Sequence, residues 1–197
     1  VHMNKIFITL SLLLIVSCDA PSTKNNEYDG SNDIVVSDPK LVNISIPNTQ
    51  ISLSIPVEFT ELEREDMELK WRNGSAQPKW AIGNEHMGTT ISYQINYFDA
   101  SEAPLKDVMD GMKQGFDRLV PGIVWENYEV TNINGKDWII LEFTSNAVDT
   151  EVRNIMVTTN LGDVMPVLNF NSTVGQFERY ESLLRKSLES LTLLQGQ

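Results

Sequence analysis

Few side chains in this sequence are suited to covalent or ionic chemistry. Cys18 is the one cysteine among 197 residues, and a thiol without a disulfide partner is a nucleophile or an attachment point. His86, in the loop Gly-Asn-Glu-His-Met-Gly, is the one histidine beyond His2. General-base or metal chemistry needs orienting partners for it; spacing identifies none, so His86 reads as a surface loop residue. Glu61, Glu63, Glu65, Asp66 and Glu68 gather oxygens of the kind Ca²⁺ prefers, and Glu61, Glu63, Glu65 and Asp66 are the candidate metal ligands. They lack the glycine-turned loop of an EF-hand, so a solvated, charged connection is the competing reading. Asp149 and Glu151 carry the same two readings. No Gly-x-Ser-x-Gly elbow, phosphate-binding loop or two-histidine zinc motif occurs, so neither enzyme activity nor a cofactor is expected.

The four tryptophans are the other candidates, because an exposed indole anchors interfaces whereas a buried one fills a core. Trp138 alternates within an apolar strand and reads as core. Trp71 and Trp80 flank a turn-prone loop from Asn73 to Pro78 and are the candidate partner-binding residues.

What precedes Cys18 decides its chemistry. Lys5 supplies a positive flank, and Ile6 to Val16 is an apolar run much shorter than the roughly 20 residues a membrane span needs. The small Ser17 stands at the cleavage point, so residues 1–17 read as a signal peptide with Met3 as initiator. Ile15-Val16-Ser17-Cys18 resembles a bacterial lipobox, in which signal peptidase II cuts before a cysteine whose thiol already carries a diacylglyceryl group. The resemblance implies export and lipid anchoring at Cys18 to a membrane of the bacterial envelope, inner or outer. With 27 acidic against 15 basic residues the formal charge is −12, which repels nucleic acid and anionic bilayers alike. Membrane attachment must then come from lipid.

Residues 18–40 are rich in Ser, Asn, Asp, Pro and Gly and read as a flexible tether. A single globular domain is expected over 41–195. Its first part is a hairpin in which Ile44 and Ile46, then Ile51, Leu53 and Ile55, recur at period two. A charged connection over Glu61 to Lys70 leads to short strands at Leu69 to Arg72 and Lys79 to Ile82, then a longer strand over Gly88 to Phe98. Leu105, Val108, Met109, Met112, Phe116 and Leu119 recur at helical spacing. Tyr128 to Ile133 and Trp138 to Thr144 flank Asn134-Gly135, a strong hairpin signal because both turn positions take positive φ. A second hairpin joins Val152–Thr159 to Val164–Phe170. Thr173-Val174-Gly175-Gln176 has capping-box spacing ahead of a helical stripe of Phe177, Tyr180, Leu184, Leu188 and Leu191, with Glu181 four residues before Arg185.

This order resembles the PsbP-like family, which includes PsbP, the Mog-type nuclear import factors and DcrB-type lipoproteins. The likeness is carried by Ile51-Ser52-Leu53-Ser54-Ile55-Pro56, by Ile133-Asn134-Gly135-Lys136 and by the final amphipathic helix, and it spans about Ile44 to Leu194. It implies an α+β fold, an α/β/α sandwich with a central, mostly antiparallel sheet and two main helices. It also implies a binding or accessory role. The function expected is that of a membrane-anchored, non-enzymatic protein-binding module with an envelope protein as partner. The alternatives are a small-ligand or Ca²⁺-binding lipoprotein and a toxin-immunity protein.

Overall fold

The computed structural model describes residues 41–71, 77–97, 103–120, 122–147 and 150–194. The leader, Cys18, the tether and Asp149 lie outside the described residues. The elements run β1 (Leu41–Ser45), β2 (Ile51–Pro56), β3 (Thr60–Glu61), α1 (Arg64–Lys70), β4 (Trp80–Gly83), β5 (Thr89–Tyr97) and α2 (Leu105–Leu119). They continue with β6 (Val124–Ile133), β7 (Lys136–Asn146), β8 (Glu151–Thr158), β9 (Val164–Thr173), α3 (Val174–Glu189) and β10 (Thr192–Leu193).

Two antiparallel sheets form: β1-β2-β10, and a seven-stranded sheet in the order β3-β4-β5-β9-β8-β7-β6. Period two gives the large sheet two apolar faces. Trp80, Ile82, Ile91, Tyr93, Trp138, Ile140, Ile155, Val157, Leu168 and Phe170 point to one side, where Tyr180, Leu183, Leu184 and Leu188 of α3 and Ile51, Leu53 and Ile55 of β2 cover them. Ile139, Leu141, Phe143, Met156, Met165 and Val167 point to the other, where Val108, Met109, Met112 and Phe116 of α2 cover them. The result is the α+β sandwich expected, with the small sheet set beside α3.

Turn chemistry fixes the registers. Asn134 and Gly135 take φ of 49° and 86° between β6 and β7, as a two-residue hairpin with strand-matched twist requires. The Asn134 amide also donates to the carbonyls of Glu189 and Leu191, at 3.0 and 2.9 Å, and so ties the hairpin to the end of α3.

Three local expectations are corrected. Glu61 to Lys70 is not merely a charged connection: Arg64–Lys70 is α1, packed through Met67 against Leu62, Trp71 and Ala81. Leu69 and Lys70 end that helix, so the strand expected at Leu69 to Arg72 is absent at those two residues. Thr173 makes no side-chain cap on α3; Gln176 instead accepts from Asn84 Nδ2 at 2.9 Å and Thr89 Oγ1 at 3.1 Å. A tertiary bond has displaced the local one.

Candidate partner-binding surface

Trp71 and Trp80 are only 7% and 5% exposed, which corrects the surface role expected of them. Trp80 faces Tyr93 across the β4–β5 ladder on the side covered by β2 and α3. Trp71 packs on Leu62 and Ala81, with the Lys70 ammonium 5.5 Å from its ring centre. Trp71 is core because it closes α1 against Leu62 and Ala81, and Trp80 is core because β4 turns it to the face covered by β2 and α3; most of the loop between them lies outside the described residues.

Glu61, Glu63 and Glu65 are exposed and Asp66 is half-buried, distributed over β3, the residue before α1, and α1 itself. Among the described residues no three His, Cys, Asp or Glu side chains converge on a point that would hold a metal ion. The proposed Ca²⁺ ligands are thereby corrected, since successive helical and extended positions point the carboxylates apart into water. Glu68 pairs with Arg64 at 2.7 Å on the helix surface, and His86 is exposed in the β4–β5 turn.

The exposed aromatic surface is built elsewhere, at β6. This ten-residue strand ends the large sheet, and among the described residues no strand lies beyond it. Val124, Tyr128 and Val130 are exposed large apolar residues on it. A β-bulge shifts the register between Trp125 and Asn127; an inserted residue lets side chains three apart share a face. Trp125 and Tyr128 therefore both point to the α2 side, opposite Phe143 and Leu141, with ring centres 6.0 Å apart at 73°.

The half-buried Trp125 is held from several directions. Its ring lies 5.4 Å from Phe143 and 6.3 Å from Phe116 in edge contacts. Its Nε1 donates to Asp117 Oδ1 at 2.7 Å, and the Lys113 ammonium stands 5.0 Å from its centroid and 5.3 Å from that of Tyr128. Lys113 also pairs with Asp117 at 2.9 Å. A pre-set indole loses little rotamer entropy when a partner covers it, which is what makes such a residue effective in an interface.

These contacts act on Asp117. The Trp125 indole first, and then the Lys113 ammonium, donate hydrogen bonds that hold its carboxyl below its ordinary value of 3.8. A depressed folded value means that the stabilisation is present above 3.8 and is lost as the pH falls through the lower folded value. In a ¹³C NMR titration the Asp117 carboxyl is expected to titrate below 3.8 in the wild type and to move back towards it in Trp125→Phe. An unchanged midpoint in the variant would show that the indole does not hold it.

The bulge turns Glu126 to the opposite side, where its carboxylate forms an ion pair with Arg153 of β8. Arg153 Nη1 also reaches Thr144 Oγ1 at 3.4 Å, and its guanidinium lies 5.1 Å from the Phe177 centroid of α3. Beside it a groove of about 310 Å³ is lined by Thr144, Glu151, Arg153, Val174, Phe177, Glu178 and Glu181. Deeper along α3, Arg185 makes a two-pronged bond to Glu142 of β7, at 3.1 and 3.0 Å, and pairs with Glu181 at 2.9 Å. On the α2 side, Asn154 joins Ser145 at 3.2 Å and Asn171 at 2.9 Å, a buried amide layer that fixes β7, β8 and β9 to one another.

Comparison with solved structures decides the fold. The solution structure of cyanobacterial PsbP (CyanoP) from Synechocystis sp. PCC 6803 superposes with a TM-score of 0.54 at 15% identity, covering 83% of this chain and 98% of that one. The fold is PsbP-like. LpqN of Mycobacterium tuberculosis, involved in cell envelope biogenesis, matches with a TM-score of 0.49 at 11% identity over 81% of this chain and 93% of its own. PA94 of Pseudomonas aeruginosa, a protein of unknown function, matches with a TM-score of 0.48 at 13% identity over 79% and 99%. No family model and no curated protein matches the sequence. In this PsbP-like frame Ile51–Pro56 is β2, Asn134-Gly135 is the β6–β7 turn and the last amphipathic segment is α3. The likeness bears on architecture; the surface at β6 must be argued from its own residues.

Proposed function

We propose that this protein is a lipid-anchored, non-enzymatic lipoprotein of the bacterial envelope, whose domain binds a protein partner along the outer edge of β6. The observation that carries the binding role is the exposed edge strand with Trp125 and Tyr128 set as neighbouring anchors on one face. An unpaired edge offers a row of backbone donors and acceptors to an incoming strand, and the aromatic pair adds apolar area and specificity. Glu126 and Glu129 place negative charge on the same strand, so the charge favours a basic partner over a second copy of the same strand. The anchor rests on Lys5, the apolar run and Ile15-Val16-Ser17-Cys18.

The test places a photo-crosslinking residue at Tyr128 or Val130 in the tethered protein inside the cell, with exposed Val57, in the loop after β2, as control. One protein adduct is expected at the two β6 positions and not at Val57. Trp125→Ala or Tyr128→Ala should weaken capture about 30-fold, the loss of one anchor worth about 2 kcal/mol, with the circular dichroism spectrum unchanged. Identical adducts at all three positions, or none at β6, would refute a binding edge there.

A further inference from the structure

The groove between α3 and β7–β8 has a charge state that selects its occupant. Of its four charged lining residues, Arg153 is paired with Glu126 and Glu181 with Arg185. Glu151 and Glu178 have no ion-pair partner among the described residues, so two carboxylates remain uncompensated in the groove. The start of α3 at Val174 offsets only about half a unit of that charge through the helix dipole. Val174, exposed, and Phe177, half-buried, supply an apolar wall beside the carboxylates. Negative charge against an apolar wall suits a cation carried on a hydrocarbon stem; the Phe177 ring already meets the Arg153 guanidinium, and a planar guanidinium bonds a carboxylate with two parallel donors as an ammonium cannot.

We propose that this groove is a seat for an arginine side chain of the partner, an inference that rests on the protein-binding reading and names the chemistry of what is bound. The groove adjoins the β6 edge through the Glu126–Arg153 pair. A strand added beyond β6 lies roughly 10–15 Å from it at the usual strand spacing. The arginine therefore comes from a neighbouring segment of the partner and not from the added strand itself. Two contact regions on one end of the sheet would give the interface both an anchor and a charge filter.

The probe is N-acetyl-L-arginine methylamide, titrated into the domain and followed by amide NMR shifts, with the citrulline analogue as its neutral isostere. Saturable shifts at Val174, Phe177 and Glu178 are expected, half-complete at about 1 mM. Binding at least tenfold weaker is expected for the citrulline compound and for Glu151→Gln/Glu178→Gln, whose fold is checked by its unshifted Trp138 and Leu184 signals. Equal binding of the two probes, shifts outside the groove, or no shift at all would overturn the seat. The titration does not involve Trp125, Tyr128 or the β6 edge, so its failure leaves the edge untouched, and loss of edge crosslinking leaves the titration result standing.

Discussion

Replacing Cys18 by alanine is expected to abolish incorporation of an alkyne-bearing fatty acid and to move the protein out of the lipid-anchored pool. The physical effect is very large. At about 0.8 kcal/mol per buried methylene, a dozen methylenes of an acyl chain already contribute about 10 kcal/mol to membrane partition, a factor near 10⁷. No helix among the described residues is long and apolar enough to cross a membrane, and a formal charge of −12 opposes an anionic surface. Labelling is the decisive readout because an unprocessed variant keeps its apolar leader and could still sediment with membranes. Label retained by Cys18→Ala, or absent from the wild type, would remove the anchor from the proposal and leave the β6 surface to be judged alone.

The proposed anchor and the aromatic surface at β6 differ in how far the sequence reveals them. The fold was legible wherever local and tertiary demands agree. Ile51, Leu53 and Ile55 alternate, Asn134-Gly135 supplies the positive φ that its turn needs, and Leu184 and Leu188 recur at helical spacing; all end up buried or in the turn expected. The aromatic surface at β6 was not legible, for one reason of geometry. Period-two reading begins β6 at Tyr128, because the bulge at Trp125–Asn127 breaks the alternation, and so leaves Trp125 apparently outside the strand. Trp71 failed in the opposite direction: a run dense in glutamate looks solvated throughout, yet Met67 and Trp71 make one side of α1 apolar. The amide layer of Asn154, Asn169 and Asn171 was also hidden, since asparagine is depleted in strands and signals turns. It is tolerated here because Asn154 bonds its neighbours on both sides.

A second large effect is expected at Arg185. Glu142 is only 6% exposed on β7, next to the edge strand of the large sheet, and the Arg185 guanidinium grips both of its oxygens. Arg185→Met leaves that carboxylate without a cation, a loss of 3–5 kcal/mol when both partners are fully buried. The Arg185 side chain is 37% exposed, and solvent screening lowers the expected cost to about 2–3 kcal/mol, or about 5–10 °C in Tm for a domain of this size. Glu142→Leu/Arg185→Met should recover most of this, since the penalty belongs to the unpaired charge and not to the missing pair.

Glu142, ahead of Glu181, raises the Arg185 value above the ordinary arginine range. A raised folded value makes the contribution complete at every pH below that range and lost only beyond it. The gap between wild type and Arg185→Met should therefore persist as the pH is raised from neutral through the mildly alkaline range. The same variant also connects stability to the groove. Without Arg185, Glu181 loses its partner and becomes a third uncompensated carboxylate among the lining residues. If the groove seats an arginine, Arg185→Met must bind N-acetyl-L-arginine methylamide more tightly than the wild type while melting earlier. A destabilised core contact alone would weaken binding together with the fold, so the two changes in opposite directions are the signature of the charge filter.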